Sequence, residues 1–340
     1  MSRFQLRPDG TTPGLLDPSK HVNYVTGMVL GVDDFFQEFA YLTGRNANLA
    51  RRLHGYGTVS GLRVLQENVD PKGPRVVVRT GQAYTPRGQL VRVPRDQCAY
   101  LADWLNDPAH KSLLPPQLGT PAVPRITLHV VLGYRDFPTD AVPIPGEPCR
   151  GEDQVLQSSR LADDFALELR VAPPDQTEAL SIRDFIGWLD KLKVGGPSIA
   201  PNLFEDAIRN AAVKPPAPTD KGFMLLAGAS DPTTVSVLEA DFPKYLRAAL
   251  RVYVTDLRPI WLATNTATDP DRPDDEAVLL GHVDLPVKSD PVKGFTIPPP
   301  ANVIDLNDPN QIKIDEEDRP VLLGSRMLQE LQFATFTRKP

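Results

Sequence analysis

The sequence predicts an α+β protein: an N-terminal helix plus a small antiparallel β meander, then a second, mixed α/β region with long Pro-rich loops. Three observations carry this. Apolar residues recur at helical spacing over residues 33–53, and alternating β-branched residues follow at once. Proline makes up 36 of 340 residues, roughly twice its usual share of about 5%. Because proline fixes φ and lacks an amide donor, a scattered load of it divides a chain into short elements joined by stiff connections.

Residues 1–20 read as an extended arm, since Pro8, Gly10, Pro13, Gly14 and Pro18 interrupt any regular element. Residues 21–114 form the helix and meander module. Phe35, Phe39, Leu42, Leu49 and Leu53 fall at steps of 4, 3, 7 and 4, one face of a helix over 33–53, with Asp33 as its cap and Gly44 as an interruption.

The stretch RLHGYGTVSGLRV invites comparison with a dinucleotide-binding loop. That loop needs a strand, then glycines, then a helix whose free amides face the pyrophosphate. Here the helix comes first and the strand TVSGLRVLQ follows, so the order is inverted. Gly55 reads as a helix-ending residue, and Gly57 and Gly61 as a tight turn and a kinked strand. RVVVRTGQAY and QLVRV flank TPRG, whose Gly88 completes a chain-reversing turn. DQCAYLADWL reads as the start of a short helix.

Residues 115–290 read as a mixed α+β domain, opening after the connection LLPPQLGTPAVP. RITLHVVLGYRD is a strand, FPTDAVPIPGEPCRGEDQ an irregular loop, and DDFALELRVAPP the returning strand. SIRDFIGWLDKL and NLFEDAIRNAA read as helices, DFPKYLRAALRVYVTD as a helix running into a strand, and EAVLLGHVDLPV as a strand. Residues 291–340 are an extended segment and a C-terminal helix. There Leu322, Leu323, Met327, Leu328 and Leu331 make an apolar face that packs on the chain's own body or on a partner.

Charge and motif content exclude several functions. The 37 basic and 43 acidic residues are mixed along the chain for a net charge of −6, which speaks against nucleic-acid binding. No apolar run approaches the roughly 20 residues of a membrane span, and the N-terminus lacks the apolar core of a secretory signal. The five histidines are dispersed, without metal-ligand spacing, so neither a metal nor another cofactor is expected. GTVSG places its serine fourth, not third as a nucleophile elbow requires, and no phosphate-binding GxxxxGK[ST] occurs. DPDRPDDE fails as a calcium loop, having Pro273 and Asp274 where an oxygen ligand and glycine belong. Asp163 and Asp164 read as caps at an element start. Cys149, beside Arg150, has no histidine near it in sequence to activate it. The residues assemble no reaction centre, and the chain reads as a non-enzyme.

The block NYVTGMVLGVDDFFQEFAYLTGRNANLARRLHGYGTVSGLRV with VVVRTGQAYTPRGQLVRVP resembles the N-terminal module of uncharacterised proteins encoded with phage-tail-like contractile injection systems. LGYRDFPTDAVPIPGEPCRGEDQVLQSSRLADDFALELR and RPVLLGSRMLQELQ are similar to the same group. The resemblance implies a structural, baseplate-associated subunit whose partners are other subunits of a tail-like particle, with homo-oligomers among them. It also implies cytoplasmic assembly and release within an extracellular particle. Relatives often carry extra cysteines flanking the tyrosine of the second block, where this chain has Gly133 and Phe137, so no metal or disulfide role carries over to Cys149. The candidate assembly contacts are Leu323, Met327, Leu328 and Leu331. Two other readings stay open: a hydrolase with carboxylates assembled by the fold, and a fibre or adhesin that binds a surface through aromatic residues.

Overall fold

The computed structural model describes residues 19–115, 118, 125–143, 156–212, 235–259, 276–290, 292, 294–300, 305 and 307–336. The chain is an α+β protein that divides into two units, one containing residues 1–174 and 276–340 and the other residues 175–275. The strands at 125–143 and 156–170 therefore belong with the N-terminal meander. The division does not fall at the proline-rich connection near residue 115.

The first unit opens with α1 (Val32–His54). Its cap is Gly31, not Asp33; the Gly31 amide donates to the Asp34 carboxylate at 2.8 Å, and both acids lie in the first turn, where the helix dipole favours them. Gly44 does not interrupt it, because a single glycine costs only about 1 kcal/mol in a helix interior and the turns on either side continue. Gly55 ends the helix with φ +82° and donates to the Arg51 carbonyl at 2.9 Å.

Six short strands follow: β1 (Gly57–Gly61), β2 (Val64–Val69), β3 (Gly73–Val78), β4 (Gly81–Tyr84), β5 (Leu90–Val93) and β6 (Gln97–Tyr100). They interleave as two antiparallel sheets, β1-β4-β5 and β2-β3-β6. Val64, Val76, Val77, Val78, Ala83, Val91 and Val93 are buried. QCAY, expected to begin a helix, is strand β6 pairing with β3; the helix α2 (Leu101–Asn106) starts one residue later, and α3 (Pro108–Lys111) follows.

β7 (Arg125–Pro143) and β8 (Leu156–Arg170) form a long antiparallel pair. β7 runs through FPTDAVP, which the prolines had suggested to be irregular. Beyond Leu132 β7 pairs with β8 alone, so Pro138 and Pro143 lie where the strand is an edge and proline is tolerated. Asp163 and Asp164 consequently sit within β8, not at an element start. After the second unit, β11 (Val278–Pro286) pairs with β7. Hairpin β12 (Lys288–Asp290) and β13 (Gly294–Thr296) and the strand β14 (Lys313–Asp315) complete the unit, giving the sheet order β14-β11-β7-β8. The last element is α7 (Ser325–Phe336).

The second unit holds α4 (Thr177–Asp190), β9 (Lys193–Val194), α5 (Pro201–Ala212), β10 (Ser236–Val237) and α6 (Phe242–Val252). α6 continues as a π turn over Tyr253–Leu257, so RVYVTD is helical and not a strand. Tyr245, Ala249, Val252, Tyr253 and Leu257 are all buried with Phe185, Trp188, Phe204 and Ile208. Burying that one face overrides the strand preference of the β-branched residues.

Candidate assembly surface

The apolar face of α1 points to solvent. Phe35 is 61% exposed, Phe39 58%, Leu42 50%, Leu49 58% and Leu53 70%. The opposite face is the one that docks: Gln37, Tyr41, Gly44, Ala47 and Asn48 are half-buried and Arg51 is buried. Small residues on that side let backbones approach closely. Gly88, at φ +77° in the turn between β4 and β5, lies so near that a Cβ there would collide with the Ala47 carbonyl. Gln37 Nε2 and the Glu38 carboxylate tie the helix to the preceding segment, donating to the Lys20 carbonyl and accepting from the Val22 amide respectively.

The remaining glycines of the HGYGTVSG run are placed by contacts as well as by φ. Gly57 has φ +138° and faces the Pro320 backbone, and Gly61 has φ +63° and faces the Thr80 carbonyl. The partner of Gly57 belongs to a strap formed by residues 313–322. Thr58 donates its amide to Pro320 at 2.8 Å, and Leu322 donates to Thr58 at 2.9 Å. Arg319 Nε donates to Thr58 Oγ1 at 2.8 Å, Nη1 to Glu316 Oε1 at 2.6 Å, and Nη2 to the Leu62 carbonyl. Glu316 Oε1 also accepts from the Val64 amide at 3.0 Å. Burial lowers the Arg319 pKa, opposed by Glu316.

Beyond this strap, Leu323, Met327 and Leu328 are 48%, 55% and 47% exposed. Those three side chains do not pack into the core of the chain. Leu331 lies within α7, with its side chain outside the described residues. Leu323 precedes the helix, whose first residue is Ser325, and so does not share its face.

Two polar clusters were invisible in the sequence. His129 on β7 and His282 on β11 stand opposite each other in the ladder, with their Nδ1 atoms 2.8 Å apart. One ring must donate and the other accept, so the two neutral tautomers differ. His282 Nε2 is 3.6 Å from Asp318. The His129 pKa is lowered, first by burial and then by His282, against a hydrogen bond to the Val171 backbone. No group of three or more histidines, cysteines or carboxylates that could hold a metal occurs among the described residues.

The second cluster is Tyr134, whose hydroxyl lies 2.6 Å from Asp136 and 2.6 Å from Asp163. A phenol has one proton and donates to one carboxylate at a time. Burial, then the two acids, push the Tyr134 pKa well above the usual phenol range. Asp136 is two residues from Tyr134 on β7, whereas Asp163, which the sequence suggested as a cap, comes from β8, 29 residues away, so only the strand pairing brings the three together.

Cys149, the arm over residues 1–18 and residues 269–275 of DPDRPDDE lie outside the described residues. Of the aromatics on which a surface-binding platform would draw, Trp188 is buried and Trp104 stacks on His110 at 4.4 Å. No helix among the described residues is long and apolar enough to cross a membrane.

No protein-family model matches the chain, and no curated protein matches it. A solved structure described as "Crystal structure of TssK" aligns at 13% identity over 72% of this chain and 61% of that one, with a TM-score of 0.25. The chain thus spans less than two thirds of that protein's length, and a superposition this weak does not establish a shared fold.

Proposed function

We propose that the chain is a structural subunit of a phage-tail-like contractile injection system, at or around the baseplate, acting through contacts with other subunits and not by catalysis. The particle class comes from the resemblance of the α1-to-meander block and of the 132–170 and 319–332 blocks to proteins encoded with such systems. The observation that carries the contact role is the outward apolar face of α1. An exposed helix face with two phenylalanines and three leucines is costly in water, and a contiguous patch of that kind marks a surface that another protein covers.

Gradient sedimentation of particles from the source cells tests the reading. The chain is expected in the fast fractions with sheath and tube proteins, and a Phe39→Asp variant is expected near the top of the gradient. A wild-type chain found only in the slow fractions would contradict the proposal.

A further inference from the structure

The outward face of α1 carries a more specific pattern than amphipathicity alone. Val32, Phe35, Phe39, Leu42, Asn46, Leu49 and Leu53 follow at steps of 3, 4, 3, 4, 3 and 4, the a and d positions of consecutive heptads. Val32, Phe39, Asn46 and Leu53 take a; Phe35, Leu42 and Leu49 take d. All seven are exposed. A helix that packs on its own core turns its apolar stripe inward, whereas this one turns the a and d residues outward, with Phe36 at the adjoining e position also exposed, and docks by the opposite side.

We infer that α1 pairs in parallel with α1 of a second copy of this chain, as a two-stranded coiled coil. The inference deepens the subunit reading by naming the partner of the same face, and it rests on that reading only for its biological setting. Asn46 decides the orientation. In a parallel pair a faces a, so the two Asn46 amides meet and hydrogen-bond to each other; in an antiparallel pair a faces d, leaving the amide against leucine without a partner. A lone asparagine at an a position lowers stability while fixing register and strand number.

Size and charge agree. The six apolar seam residues are each half or more exposed and together offer several hundred Å² per copy, of the order of the roughly 800 Å² per partner in a stable interface. Across a parallel seam Glu38 meets Thr43 and Arg45 meets Ala50, so no like charges oppose the pairing. Three heptads are short for a free coiled coil. Here the helix is already formed on the body of the protein, which removes the ordering cost from association.

The test uses the full chain at micromolar concentration. Light scattering should give twice the 37.4 kDa chain mass. Leu42→Asp should halve that mass without changing the circular dichroism spectrum, since the side chain points to solvent in a single copy. Asn46→Leu should lose the single two-chain state and populate larger species. In a Cys98→Ser, Cys149→Ser background, Asn46→Cys should cross-link on mild oxidation, whereas Gln37→Cys on the docked side should not. A monomeric wild type, a dimer that survives Leu42→Asp, or an Asn46→Cys protein that dimerises without cross-linking would overturn the pairing. A monomer that still sediments with particles overturns the pairing alone, and a cross-linkable dimer absent from particles overturns the subunit reading alone.

Discussion

Gly88 and Ala47 meet backbone to backbone: the turn closing β4 onto β5 presses against the docked side of α1 with no room for a side chain between them. This contact helps hold the helix so that its apolar seam faces outward. Gly88→Ala adds a Cβ that strikes the Ala47 carbonyl and forces a left-handed φ on a residue that resists it. The expected loss is about 2–4 kcal/mol, from strain and overpacking together. Chemical denaturation measures it, and an unchanged midpoint would show that α1 is not seated there.

Arg319 joins the 313–322 strap to β1 and the residue after it, through Thr58 and Leu62, and pairs with Glu316 inside the strap. Arg319→Met keeps much of the volume but removes the donors, leaving Glu316 without its cation. A loss of about 2–4 kcal/mol is expected. Hydrogen exchange should locate the damage, with protection at Thr58 and Leu322 falling before that of β7 and β11.

His129 makes stability depend on pH. Its folded pKa is held below the unfolded value of about 6.5, so between those two values the unfolded chain binds more protons. Stability is therefore full above about pH 6.5 and falls as the pH drops through the folded pKa. His129→Gln should flatten the wild-type decline between pH 7 and pH 5 in melting experiments. Parallel pH profiles for the two proteins would contradict this assignment.

Phe204 is fully buried among the helices of the second unit, beside Trp188 and Tyr245. Phe204→Ala should cost about 3–5 kcal/mol, lowering a cooperative unfolding transition read by tryptophan fluorescence.

The helical spacing of α1 and the TPRG turn were legible because both are local signals, of period and of turn chemistry. What local pattern could not supply was direction. The Phe35 to Leu53 stripe specifies a helix face but not whether that face turns inward, and the same stripe serves a core or an interface. Nor could it supply pairing at a distance: His129 meets His282 only because β11 returns to β7 after a whole inserted unit. At RVYVTD the β-branched residues favoured a strand locally, while tertiary burial of Tyr245, Ala249, Val252 and Leu257 favoured helix and prevailed.

Quantitative mass spectrometry of purified tail-like particles decides whether the chain is one of their structural subunits. If the chain is a structural subunit, its peptides will appear at a fixed ratio to a singly repeated baseplate component, and that ratio will collapse when Phe39→Asp replaces the wild type. Particles that are complete and contractile yet contain none of this chain would contradict the account.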